Sequence, residues 1–198
     1  VHLIWADVLS KLVQPKKPRT IGVAVEGSRP TVEQTNEFLA SSYYGFRPVQ
    51  LDNGPDGALY IVDMYREVIE HPWSLPENLK KHLDLNSGND RGRIYRVVMD
   101  GFKKKPVQPL SKAGTTSLVT ALESPNGWTR QTASRLLFEQ HDSSAVPKLR
   151  KLATASKTPT ARIHALWLLL GFEALNAKDV FLALRDSSTE VRENAVKL

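Results

Sequence analysis

The chain has 198 residues, 41% of them hydrophobic and 24% charged, with a formal net charge of +6. That apolar share supports a packed core and excludes a disordered chain, while the absence of cysteine excludes a disulfide, a thiolate metal site and a c-type haem attachment pair within these residues. The charge is spread, 15 basic against 13 acidic residues over 1–106 and 12 against 8 over 107–198, too evenly to demand nucleic acid or an anionic membrane.

The chain opens on Val1 without an initiator Met and closes on an uncapped amphipathic run at Leu198, so both ends read as cut and the sequence reads as an internal fragment. Residues 1–35 are ambiguous. An apolar run over Val1–Leu9 suits strand or helix, Pro15-Lys16-Lys17-Pro18 breaks it, and Ile21–Val25 predicts a strand followed by a turn over Glu26–Pro30. Next, Phe46–Leu51 and Ala58–Asp63 predict two strands around Asn53-Gly54-Pro55-Asp56-Gly57, whose Pro, Asp and Gly supply turn chemistry for a hairpin. Residues 64–91 then form a long excursion with Pro72, Trp73, Pro76 and two His, of the length that is functional or inter-domain. Gly92–Val98 predicts a further strand by its alternation, and residues 99–114, with the Lys103–Lys105 run beside Pro106, read as a solvated linker.

From Thr115 the period becomes helical and repeats. Arg130, Ala133 and Leu136 align with Arg162, Ala165 and Leu168, and again with Arg192, Ala195 and Leu198, at steps of 32 and 30 residues. Each copy follows an apolar run and a polar turn, the pattern of two helices per unit stacked against the next. The Ala suits close helix approach and the Leu packs inward. The longest strongly apolar stretch, Ala165–Phe172, falls far short of the roughly 20 residues a membrane-spanning helix needs.

This repeat pattern resembles the short bacterial HEAT form. The first half resembles a narrower group. Asn36–Ser41, Phe46-Arg47-Pro48-Val49, Gly54–Tyr60, Asp63–Glu67, Ile69–Pro72 and Asp90–Arg96 are similar to the membrane-bound dehydrogenase family of planctomycetes and verrucomicrobia. That resemblance implies a sugar-dehydrogenase-like β-propeller, then HEAT-like repeats, then a cytochrome c-like haem domain in full-length members. The expected fold class is therefore α+β in two parts: the closing blade or blades of a propeller over 1–98 with an inserted loop at 64–91, a linker at 99–114, and a solenoid of about three HEAT-like repeats over 115–198 with the last truncated. It also implies an extracytoplasmic or periplasmic, membrane-associated parent that uses a quinone-type cofactor, calcium and a haem lying elsewhere in the parent chain.

Several residues suit a site. His71, Arg66 and Glu67 fit a catalytic set, with His71 as general base, Arg66 holding a carboxylate or quinone oxygen and Glu67 orienting the His. The other reading pairs Arg66 with Glu67 and has His71 cap a loop against Trp73. Asp84, Asn86 and Asp90 place oxygens at calcium-loop spacing, though the distant Glu of an EF-hand is missing. The resemblance gives Asp56, Gly57 and Asp63 structural roles in hairpin register and loop capping. Arg130, Arg162 and Arg192 form a ladder that stabilises the repeats, with phosphate binding as the sharper alternative, and His164 reads as a packed helix residue.

Three functions stay open at this point. The first is a fragment of a dehydrogenase-like protein that oxidises a sugar or other alcohol and passes electrons to the attached cytochrome-like domain, its partners being the rest of the parent chain. The second is a non-catalytic scaffold for a protein or polysaccharide partner. The third is nucleic-acid binding through the repeats, disfavoured by their modest charge.

Overall fold

The computed structural model describes residues 3–21, 24–31, 34–103, 106–107 and 109–198. Among the expectations above, Val1, His2, Gly22, Val23, Lys104 and Lys105 lie outside the described residues. The chain divides into two units, Val1–Gly54 with Ala58–Lys103, and Lys104–Leu198 grouped with Pro55–Gly57.

The first unit holds two antiparallel sheets. In one, β1 (Leu3–Asp7) pairs with β2 (Leu12–Ile21), which also pairs with β3 (Ala24–Ser28) and with β4 (Leu39–Ala40). Pro15 and Pro18 do not break the chain as expected; both sit inside β2. The register explains why. Residues 12–16 of β2 face β1 and residues 17–21 face β3, while β4 covers only Leu12 and Val13 on the other side. Each proline therefore occupies a stretch with a partner on one side only, where a missing N–H costs no ladder bond. Of the strand predicted over residues 21–25, Ile21 ends β2 and Ala24 and Val25 open β3, with Ile21 opposite Ala24. The turn expected at 26–30 begins later, because Glu26–Ser28 belong to β3.

The second sheet runs β5 (Pro48–Asn53), β6 (Leu59–Asp63), β7 (Arg93–Val97). Between β5 and β6 the Gly54 N–H donates to the Ala58 carbonyl at 2.8 Å, and Gly57 takes φ +84° as the turn requires. β7 returns antiparallel to β6 after the excursion, which contains a 3₁₀ turn at Pro72–Ser74 and a short helix α1 (Glu77–Lys80). The buried apolar side chains described in this unit are few: Val13, Phe46, Ala58 and Ile61, with Pro15 and Pro48. Two polar residues, Arg47 and Asp63, are buried among them.

The second unit is helical: α2 (Thr115–Ala121), α3 (Gly127–Gln140), α4 (Ala145–Ala155), α5 (Pro159–Gly171), α6 (Ala177–Ala183) and α7 (Thr189–Lys197). They pack as pairs, α2 on α3, α4 on α5 and α6 on α7, with α2, α4 and α6 in one row and α3, α5 and α7 in the other. Local chemistry sets the starts. Asn126 accepts the Trp128 N–H to cap α3, Pro159 opens α5, and Asn176 and Asp179 form a reciprocal capping box on α6. One contiguous core joins all six helices, with Ala133, Ala165 and Ala195 at most 2% exposed and Leu118, Leu149, Leu166 and Leu169 buried beside them. No helix among the described residues is long and apolar enough to cross a membrane.

The expected propeller and solenoid are overturned. A propeller repeats similar four-stranded sheets radially until the ring closes; the described residues form two small, dissimilar sheets, and neither closes. A solenoid is an open-ended stack whose repeats meet only their neighbours; α2 to α7 are three pairs around a shared core. Strand and helix periods specify the local elements; the expected propeller rested on the resemblance, and the expected solenoid on the recurrence of Arg, Ala and Leu along the chain.

Acid acts on the helical unit at three carboxylates with lowered pKa: Glu190, held down first by the Ser188 hydroxyl, Asp142 and Asp186. Asp142 accepts from the hydroxyls of Thr115 and Ser144 and from the Ser144 N–H, which hold its pKa down to about 2. Burial pushes the Asp186 carboxyl up, but Arg162, the Ser188 N–H and Arg192 outweigh it, and the net shift is downward. Carboxyls depressed in the folded state stabilise it above their unfolded pKa of about 4, and that contribution is lost as pH falls through the folded value. The thermal midpoint is therefore expected to fall between about pH 4 and pH 2. Asp142→Asn should lower the midpoint at pH 6 and converge on the unmodified protein near pH 2. A pH-independent gap between the two melting curves would count against this assignment.

Candidate functional site

The polar centre of the first unit is built on Asp63, the last residue of β6, whose side chain is fully buried. One carboxylate oxygen accepts the Arg47 N–H at 2.8 Å and the Tyr65 N–H at 3.0 Å. The other takes the Arg93 guanidinium from β7, at 2.8 Å from Nε and 2.6 Å from Nη2. Arg47 is also buried, and its guanidinium donates to main-chain carbonyls: Val8 and Leu9 at 3.2 Å, Arg66 at 3.0 Å and Glu67 at 2.6 Å. Two guanidinium groups and one carboxylate thus carry the packing that few apolar side chains supply here. Buried networks of this kind are stabilising to the extent that their polar atoms are satisfied; here the buried Arg93 Nη2 has Asp63 as an ion-pair neighbour but makes no hydrogen bond.

The network aims a surface cluster. Tyr65 is held at φ +55°, with its N–H on Asp63. Arg93 lies 4.1 Å over the Tyr65 ring, a cation–π distance. The Tyr43 hydroxyl donates to the Tyr65 hydroxyl at 2.9 Å, with ring centroids 5.6 Å apart. That hydrogen bond raises the Tyr43 phenol above its ordinary range, so it stays neutral at physiological pH. Two glycines permit the approach. A Cβ at Gly45 would meet the Tyr43 ring at 2.6 Å, and one at Gly88, itself at φ +79°, would meet the Tyr65 carbonyl at 1.9 Å. The result is a pocket of about 210 Å³ lined by Tyr43, Tyr44, Gly45, Tyr65, Glu67 and Ser87. It is below the size of drug-like cavities and suits one small ring. Tyr43 and Tyr44 remain 47% and 69% exposed at its rim.

The structure separates the residues that the sequence singled out. Glu67 lines this pocket, whereas Arg66 donates to the Asn86 carbonyl at 3.5 Å. The His71 Nδ1 accepts the Trp73 N–H at 3.2 Å and caps the 3₁₀ turn. No hydrogen bond or ion pair among the described residues joins the side chains of Arg66, Glu67 and His71. Asp84 accepts the Asn86 N–H at 3.0 Å, closing a local turn. Both Asp90 oxygens hold Arg91, at 2.8 and 2.9 Å, so that carboxylate is committed to a guanidinium. Asp84, Asn86 and Asp90, which suit a calcium loop by their spacing, are engaged in local turns and an ion pair, and among the described residues no group of three or more His, Cys, Asp or Glu is placed to hold a metal ion. Asp56 lies in the β5–β6 turn beside Gly57.

In the helical unit the three arginines occupy equivalent places. Arg130, Arg162 and Arg192 each donate from Nη1 to the carbonyl six residues earlier, those of Ser124, Ser156 and Asp186, at 2.6, 2.6 and 2.7 Å. Of the three, Arg162 adds a two-pronged ion pair, with Asp186, at 2.8 and 2.7 Å. His164 is more than half buried, and burial, then the charge of Arg130, pushes its imidazole below the ordinary range.

Sequence reasoning missed Tyr43, Tyr44, Arg47 and Arg93 as site residues. A signal existed in the Tyr43-Tyr44-Gly45 run, since paired aromatics beside a glycine mark a place where rings approach the main chain.

No curated protein and no solved structure matches the chain. Residues 1–101, half of the 198-residue sequence, match the family described as Domain of unknown function (DUF7133), and the chain belongs to that family.

Proposed function

We propose that the sheet-containing unit is a carbohydrate-binding module and that the chain serves as a non-catalytic scaffold for a polysaccharide. The observation that carries this is the pocket of Tyr43, Tyr44 and Tyr65 with one carboxylate, Glu67, and one hydroxyl, Ser87, at its wall. Aromatic faces stack on the C–H faces of a sugar ring, while the carboxylate and hydroxyl satisfy its hydroxyl groups. The arginines stand behind the rings, with Arg93 tied to Asp63 and Arg91 to Asp90, so the pocket recognises hydroxyls rather than anions. A polysaccharide ligand suits an extracytoplasmic location.

Oxidation of a sugar or other alcohol, with electron transfer to a haem domain, rests on the resemblance alone. His71, Arg66 and Glu67 are not joined, and their geometry supports no proton or hydride transfer between them.

Calorimetric titration with neutral oligosaccharides (gluco-, manno-, xylo- and chito-series) tests the binding reading. Millimolar to micromolar affinity is expected for at least one series. Tyr43→Ala and Tyr44→Ala should each weaken it about tenfold, the equivalent of about 1.4 kcal/mol. Absence of binding across the panel, or binding indifferent to both substitutions, would overturn it.

A further inference from the structure

A second surface lies on the row formed by α2, α4 and α6. A trough of about 400 Å³ runs between α2 and α4, walled by Val119, Thr120, Glu123, Lys148, Lys151 and Leu152 among others. Another, of about 540 Å³, runs between α4 and α6 and includes Lys151, Thr154, Lys178 and Leu182. Lys151 lines both troughs and Thr154 faces the second, so α4 forms a ridge between them.

The charge on this row is one-sided. α4 carries Lys148, Arg150 and Lys151 without an acid, and α6 adds Lys178. Asp179 holds Arg150 at 3.1 Å and Asp186 holds Arg162, whereas Glu123 accepts only the neutral Ser156 hydroxyl and, among the described residues, is the one acid lining the α2–α4 trough, against Lys148 and Lys151. Among the described residues no ion pair holds Lys148, Lys151 or Lys178; Lys148 donates to the Ser144 carbonyl. The opposite row differs, with Arg135 paired to Glu139 and Lys197 to Glu193.

We propose that the α2–α4–α6 row docks an extended acidic peptide whose apolar side chains enter the two troughs. Charge complementarity argues for an anionic occupant, and the apolar trough walls (Val119, Leu152, Leu182) argue for a peptide over a bare polyanion. A duplex nucleic acid fits poorly, since residues 107–198 carry an excess of only four positive charges, 12 basic less 8 acidic. The geometry also fixes a spacing. Packed helices lie about 8–10 Å apart, and a peptide in the polyproline II conformation advances about 3.1 Å per residue with three residues per turn, so two apolar anchors on one face should stand three residues apart with acids around them.

Fluorescence anisotropy with the full chain tests this, using a fluorescein-labelled peptide of glutamates with two leucines three residues apart. Saturable one-to-one binding at low salt is expected. Reversing Lys148, Lys151 and Lys178 together to Glu should weaken it about tenfold or more. Thr154→Trp, which fills the α4–α6 trough without changing charge, should weaken it with an unchanged circular-dichroism melt. This second variant keeps the test decisive if the triple reversal misfolds. Equal binding of a peptide with both leucines replaced by serine would show a polyanion effect only and overturn the proposal. So would tighter binding of duplex DNA, or full affinity in the Thr154→Trp variant.

Discussion

Asp63→Ala is expected to destabilise the sheet-containing unit by about 3–5 kcal/mol, the largest effect of any single substitution in that unit. The side chain is fully buried, and it accepts the Arg47 N–H, the Tyr65 N–H and the Arg93 guanidinium. Removing it strands all these donors at once, and among the described residues no other acid pairs with the Arg93 cation. Few apolar side chains stand by to absorb the loss, because the described core of this unit is Val13, Phe46, Ala58 and Ile61 with Pro15 and Pro48. Asp63→Asn keeps the size and one acceptor but turns an amide or a neutral oxygen toward Arg93, so it should recover only part of the stability. Hydrogen exchange of the β5 and β6 amides, read against those of α3 and α5, is the measurement. Retained protection in β6 of Asp63→Ala would refute the assignment. Because Asp63 also holds the Tyr65 N–H, oligosaccharide binding should fail together with folding in this variant.

In the helical unit the corresponding prediction concerns Arg162. Its side chain is 9% exposed and engages both oxygens of Asp186 and the Ser156 carbonyl. Arg162→Ala leaves a mostly buried carboxylate without its counter-ion and should cost about 3–5 kcal/mol. Arg130 offers an internal comparison. It makes the same bond, to the Ser124 carbonyl, but among the described residues it pairs with no acid, and its Nε is unsatisfied. Arg130→Ala should therefore cost about 1 kcal/mol, the worth of one net hydrogen bond. Urea unfolding of both variants measures the gap. Equal losses at the two positions would show that the carbonyl bond, and not the ion pair, carries the stabilisation.

What the sequence made legible was local. The Asn53–Gly57 turn between two strands, the strand before Val98 and the recurring Arg, Ala and Leu each rest on periodicity or turn chemistry, which neighbours along the chain determine. Ala133, Ala165 and Ala195 could be placed at close helix contacts because their spacing from the arginine repeats. The two prolines of β2 misled, because a proline is tolerated wherever one side of a strand lacks a partner, and partner strands are not visible in a single sequence. The larger architecture misled for a related reason. Sheet closure and array geometry depend on contacts between elements; the expectation for the first came from a family likeness, and that for the second from a repeat in the sequence that does not by itself fix how the helix pairs stack.

The site was less legible than the fold. Asp63 and Glu67 were singled out, but Arg47 was not, since nothing in its neighbours shows that carbonyls from residues 8–9 and 66–67 converge on it. Tyr43 and Tyr65 stand 22 residues apart and meet through their hydroxyls. His71 shows the converse: a residue type suited to catalysis can be used up by a turn two residues away.

Arg47 also decides how this unit responds to its surroundings. Its acceptors are main-chain carbonyls, which carry no net charge, and its bonds to Val8, Leu9, Arg66 and Glu67 form a clasp between the loop after β1 and the loop after β6. Being buried, it is also little screened by salt. The two loops stay fastened through swings of ionic strength that would loosen an exposed acid–base pair.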